Sequence, residues 1–345
     1  MDQRLIVFIL VTFIIIKNAI QGIIIPILAE FYQSLNFILI ATCVQFIIIF
    51  GSIYVVLSVK SADKFKFPEG KIMILLIGIF NGGMAILMMY SANPDRTPVI
   101  LQTILASLPV IPSFILRKLI LNKVMVHNKI LTILSLIFIL TSVSFAIIPI
   151  ISEWKMSSFG WIAVYFSGIL CLSTYNVLQE KYTSEYDTSK LVDKIGIVFF
   201  GKIIELILIL SLCWLEIFFG QNKYPYQSFV TSCEQFITNY KASLLLEGFI
   251  VAYMIAYMLA VYLNSINSNF NMISPVVSNP LVAIFFTVFS QYNNGIKYPI
   301  WIICCCVGCS IIGVVLWLFS EKISQYEKIK DVACINTSDD KTVYV

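Results

Sequence analysis

Charge is what this chain has least of. Only 12% of its 345 residues are Asp, Glu, Lys or Arg, about half of the ~25% that ordinary soluble domains carry. A chain so poor in charge cannot cover a water-soluble fold of this length. Histidine is almost missing: His127 is the only one, and nothing in the sequence pairs it with a nucleophile. Glycine-rich phosphate loops, paired-carboxylate motifs and His–Glu pairs within apolar segments are also missing. These absences remove the usual signatures of catalysis, so the chain is read as not an enzyme, with no catalytic residue, metal or cofactor assigned. The formal net charge of +4 is read as a product of membrane orientation rather than of nucleic-acid binding.

Cysteine is present but without partners for chemistry. Of nine cysteines, Cys43, Cys171, Cys213, Cys304, Cys305, Cys306 and Cys309 fall in apolar segments. There they act as small polarisable apolar side chains, with no His or carboxylate beside them to complete a metal site. Cys233 is expected in a loop facing the oxidising side, with no second cysteine available for an intramolecular disulfide.

Apolar length dominates: 59% of residues are hydrophobic, and mean hydropathy is +0.91. Segments of ~20 apolar residues cross a ~30 Å hydrocarbon core, and in lipid they must be helices to satisfy their own backbone groups. Ten such segments are expected: Leu5–Leu28, Asn36–Val59, Ile72–Ser91, Pro98–Leu116, Ile130–Ile151, Gly160–Leu178, Ile195–Phe219, Leu244–Leu263, Ile273–Ser290 and Ile300–Phe319. Aromatic residues such as Tyr32, Trp154, Trp161, Tyr182, Tyr298 and Trp301 punctuate their ends, as interfacial anchors do. The first segment is read as a retained span: Lys17 interrupts it and no small-residue cleavage site follows. Two polar connections, 181–194 and 220–243, separate later spans. The stretch 320–345 is mixed in charge and is expected to be a disordered cytosolic tail.

Lys and Arg alternate in density between connections. Sixteen fall on the side shared by both termini, against Arg96, Lys155, Lys223, Lys241 and Lys297 on the other. The positive-inside bias therefore places both termini in the cytosol. The basic cluster after the fourth span, which includes Arg117 and Lys118, reads as a solvated topology signal, with contact to anionic membrane lipid as the sharper alternative.

Polar residues inside the spans carry the functional signal. Lys17 lies at the middle of the first span, where a lysine costs ~2.5–3.5 kcal/mol or more unless it meets water or a partner. Lys202 and Glu205 share one face of the seventh span. Glu205 is a candidate carrier of a coupling proton, with Lys202 beside it and able to snorkel toward the surface. The alternative is a static pair that hides two charges. Asn81, Gln102, Asn176 and Asn279 are candidate cavity residues, weighed evenly against plain interhelical hydrogen bonding.

A weak internal repeat points to a carrier. Thr97-Pro98-Val99 and Ser274-Pro275-Val276 open the fourth and ninth spans, each after an Asn-containing hinge. Five spans separate them, so the halves would be inverted, with 1–151 as one five-helix repeat and 152–319 as the other. Proline-interrupted segments at corresponding places mark a carrier's central site, which makes Pro98, Pro109, Pro112, Pro275 and Pro280 candidate helix-break hinges. Gly308 and Gly313 are expected to let the last span pack closely.

Several stretches resemble one family. Arg96-Thr97-Pro98-Val99-Ile100-Leu101-Gln102 with Leu108-Pro109-Val110-Ile111-Pro112, then Ser173-Thr174-Tyr175-Asn176 leading to Gln179-Glu180-Lys181-Tyr182, and Ser278-Asn279-Pro280-Leu281-Val282-Ala283 are similar to the chloroquine-resistance-transporter-like family of the drug/metabolite transporter superfamily. That resemblance implies ten helices in two inverted repeats around a central cavity. It implies a secondary transporter of amino acids, peptides, thiols or cationic metabolites in a vacuolar, lysosome-like or other endomembrane, often proton-driven. The Lys202/Glu205 pair matches nothing in that family's pattern, and the cysteines that brace the loop after the seventh span in some members are missing. Two other functions stay open: a nucleotide-sugar or phosphorylated-sugar exchanger, which would use Lys17 and Lys202 toward an anion, and a non-transporting membrane scaffold or membrane enzyme.

Overall fold

The computed structural model describes residues 3–60, 68–121, 129–152, 156–186, 190–220, 224–266, 268–289 and 298–339. His127 and several of the topology-bearing cations, including Lys64, Lys66, Lys123, Lys155, Lys223, Lys297 and Lys341, lie outside them. Among the described residues every regular element is helical: α1 (Gln3–Phe31), α2 (Leu35–Lys60), α3 (Lys71–Ser91), α4 (Val99–Leu105), α5 (Val110–Leu121), α6 (Lys129–Ser152) and α7 (Met156–Glu185), then α8 (Leu191–Ser211), a 3-10 turn (Cys213–Leu215), α9 (Glu216–Phe219), α10 (Pro225–Thr238), α11 (Tyr240–Ile266), α12 (Ser268–Val288) and α13 (Ile300–Asp339). Eight helical stretches there are long and apolar enough to cross a membrane, or nine if α8 and the segment after its 44° bend form one span. The chain is therefore an all-α, multi-pass membrane protein. The expected ninth span corresponds to α12, which is not among those eight or nine.

The helices pack in a pattern that buries polar faces inward and leaves Ile, Leu, Val and Phe outward, as lipid-facing surfaces require. α1 packs on α11 and α12, and α7 packs on α3 and α5. α2 pairs with α8, α6 with α13, and α4 with α12. Glycines allow the closest approaches. A Cβ on Gly78 of α3 would sit 2.6 Å from Ile204 Cβ and 2.9 Å from the Gly201 carbonyl of α8. Gly313 of α13 packs equally tightly on Ile139 of α6, whereas among the described residues nothing lies within 4 Å of where a Gly308 Cβ would sit.

Two expectations change. Residues 220–243 are not merely a polar connection: α10 occupies most of them, carries Cys233, and seats Ser232 against Ser34. α13 runs through Asp339. Arg117 is not a solvated cation. It is 5% exposed and forms a 2.8 Å ion pair with Glu180 that ties α5 to α7.

The proline pattern also differs from the one expected. The interruption in the fourth span falls at residues 106–109, where the Ser107 and Leu108 amides donate to the Ile104 and Leu105 carbonyls, three residues back, ahead of Pro109. Pro98 is the N-cap of α4. Pro112 lies in the first turn of α5, where its missing N–H costs little. α12 continues without a break through Pro275 and Pro280, so the paired interruption is not symmetric. Pro26, inside α1, is a further proline beside the bundle centre.

Candidate functional site: a polar cavity in the helix bundle

A cavity of about 250 Å³ lies at the centre of the bundle, lined by α1, α2, α3, α4, α7, α8, α11 and α12. All five residues proposed as cavity-lining from sequence (Lys17, Asn81, Gln102, Asn176 and Asn279) reach it, as do Glu205, Pro109 and Pro275. Among the described residues, Lys202, Pro98 and Pro112 are not part of its wall, and the Pro280 side chain lies outside what is described. Asn18, Gln21, Thr42, Thr103, Ser278 and the tyrosines Tyr165, Tyr175, Tyr253 and Tyr257 complete its polar surface.

Lys202 does not snorkel. It is fully buried, and its Nζ stands 2.7 Å from Glu205 Oε2. Three rings surround the ammonium, with centroids at 4.7 Å (Phe46), 4.8 Å (Tyr257) and 5.0 Å (Tyr253). Rings at such distances attract a cation through their negative faces. Glu205 is engaged at both oxygens: Asn81 Nδ2 donates to Oε2, and Cys43 Sγ lies 3.4 Å from Oε1. The carboxylate is thus neutralised and solvated by the protein itself, as a buried charge requires.

The two ends of the bundle are tied differently. At one, the Arg96 guanidinium stacks 4.3 Å from the Trp161 ring centroid and donates to the carbonyls of Tyr90 and Phe219. Nearby, Glu216 accepts from Ser34 Oγ at 3.0 Å and the Leu35 amide at 2.9 Å. A carboxylate there satisfies donors left open at the start of α2 and complements its dipole. Burial raises the Arg96 stack's demand for carbonyl acceptors and lowers its guanidinium pKa from the ordinary value.

At the other end, the cavity floor is a hydrogen-bonded amide layer. Asn264 Nδ2 donates to Asn176 Oδ1 at 2.9 Å and Gln179 Oε1 at 2.6 Å, and Gln179 Nε2 donates to the Tyr175 hydroxyl at 3.0 Å. The Arg117–Glu180 pair shares that end. On α4 and the turn after it, the lining runs from Val99 to Pro109, ~15 Å at helical rise.

Not every predicted residue is free to meet a solute. The Gln102 amide nitrogen is spent on the Ala92 carbonyl at 2.7 Å and the Thr97 carbonyl at 2.6 Å, holding the turn before α4. Asn176 belongs to the floor. Among the described residues, Asn81 Oδ1 and Asn279 Nδ2 are buried without a hydrogen-bond partner. The Tyr253/Tyr257 box was missed in the sequence, although Phe249, Tyr253 and Tyr257 recur every fourth residue, a stripe that marks one helix face. Arg117–Glu180 and Glu216 were missed because nothing local distinguishes a buried ion pair or cap from an end-of-helix charge.

No family model matches this chain, and no curated protein matches it. One solved structure, described only as "Crystal structure of protein", superposes on 91% of this chain and 99% of its own, with a TM-score of 0.52 at 13% identity. That likeness concerns the fold alone.

Proposed function

We propose that this chain is a secondary transporter that moves a small polar organic solute across a membrane. The observation that carries this reading is the central cavity. Its wall combines polar groups from eight helices, and two of its amide groups hold unused hydrogen-bonding atoms. Polar groups at membrane depth are expensive and are kept where they meet a solute, an ion or one another.

The packing pattern supports the finer architecture of ten spans in two inverted repeats. Shifting each element by five spans turns the α1 contacts with α11 and α12 into the α7 contacts with α3 and α5. The α2–α8, α4–α12 and α6–α13 pairs map onto themselves, as elements flanking a two-fold axis in the membrane plane would. This arrangement and the sequence resemblance together favour a chloroquine-resistance-transporter-like carrier in an endomembrane, with both termini cytosolic. The doubly partnered Glu205 carboxylate favours the static Lys202–Glu205 pair over a proton carrier.

Reconstitution into proteoliposomes tests the reading. Counterflow with a panel of amino acids, dipeptides, glutathione, sugar phosphates and nucleotide sugars should reveal saturable uptake of at least one solute. Folded protein that accelerates none of them would leave the scaffold reading in its place.

A further inference from the structure

We propose that Lys17 is the anchor for an anionic group on the solute, so that the cavity takes organic molecules carrying a carboxylate or a phosphate. This rests on the carrier reading above and adds the chemistry of the substrate to it.

Among the described residues, two with full charge line the cavity, Lys17 and Glu205. Glu205 is already matched by Lys202 at 2.7 Å and saturated by Asn81 and Cys43. Lys202, enclosed by Phe46, Tyr253 and Tyr257, has no exposed surface left. These two charges cancel within the wall. Lys17 remains, at the midpoint of α1, half-buried and facing the cavity. Among the described residues no carboxylate pairs with it. Its Nζ faces the Tyr253 ring, 5.9 Å from the centroid. Glu247, on the same helix as Tyr253, is held by Gln45 Nε2 at 2.6 Å and does not line the cavity.

The cavity wall therefore carries one uncompensated positive charge, inside a membrane-spanning bundle where such a charge demands a partner. The neutral lining supplies further donors for oxygen ligands. Asn279, 6% exposed, lies on the same wall, and its Nδ2 is a buried donor without a hydrogen-bond partner among the described residues. A cationic solute would meet Lys17 as a like charge and find Glu205 occupied, so the arrangement selects against it.

Thermal unfolding of the purified full chain in a neutral detergent reads the anion site directly. The probes are glutarate, glycylglycine and glycerol 3-phosphate at constant ionic strength, with glycerol and choline as neutral and cationic controls. At least one anion-bearing probe should raise the melting temperature saturably, glutarate or glycylglycine marking a carboxylate site and glycerol 3-phosphate a phosphate site. Lys17→Gln should weaken that effect at least tenfold in concentration, and Lys17→Arg should retain it. Stabilisation by choline, no shift with any anion, or a shift unchanged in Lys17→Gln would each overturn the proposal. Transport separates the two claims. Saturable uptake that Lys17→Gln leaves intact removes the anion anchor and keeps the carrier, whereas a Lys17-dependent shift without any uptake keeps the anchor and removes the carrier.

Discussion

Lys202 and Glu205 sit three residues apart on α8, and their charges meet at 2.7 Å inside a box of three aromatic rings. Removing one member of a buried pair leaves the other unpaired, a loss of ~3–5 kcal/mol, while replacing both with apolar groups is far less damaging. Glu205→Leu and Lys202→Met should each lower the melting temperature in detergent sharply. The double variant should recover most of that loss. Losses that simply add would mean that the two charges are stabilised independently.

The same logic applies to Arg117 and Glu180, which join α5 and α7 at 2.8 Å with both side chains nearly inaccessible. Arg117→Met is expected to destabilise by ~3–5 kcal/mol, and Arg117→Met with Glu180→Leu by much less. Thermal unfolding of the single and double variants measures the coupling. A single variant as stable as the wild type would return Arg117 to the role of a solvated topology signal.

Close helix packing gives a steric prediction. At Gly78 a side chain would collide with the α8 backbone and Ile204, whereas at Gly160 nothing lies within 4 Å among the described residues. Overpacking of a tight interface costs ~1–3 kcal/mol or more. Gly78→Val should therefore reduce the yield of folded, monodisperse protein, and Gly160→Val should not. Equal behaviour of the two would contradict the α3–α8 contact.

Orientation is testable by glycosylation in cells. The tail sequence Asn336-Thr337-Ser338 is a formal acceptor on the side rich in Lys and Arg. It should remain unmodified, while an acceptor engineered into the exposed face of α10, at Gln227, should be modified. Glycan on Asn336 would reverse the assignment of sides.

The membrane class and most helix positions were legible because apolar runs and their polar punctuation are local properties of the chain. The cavity was partly legible for a similar reason: Lys17, Asn81 and Asn279 are costly at membrane depth and so stand out within one helix. What escaped was non-local. The aromatic box around Lys202 takes Phe46 from α2 and Tyr253 and Tyr257 from α11, and no segment announces that they converge. The prolines misled because their effect depends on position within a turn. Pro109 sits at an interruption and lines the cavity, while Pro275 is carried inside a continuous α12.

We propose that the solute passes through the central cavity lined by α1, α2, α3, α4, α7, α8, α11 and α12. Ala85 lines that cavity from α3, and Ile48, 61% exposed on α2, faces outward. Initial uptake rates in proteoliposomes, for the solute identified by counterflow, should fall at least tenfold in Ala85→Trp and stay near wild type in Ile48→Trp, with both variants folded. Transport through Ala85→Trp at the wild-type rate would contradict the account.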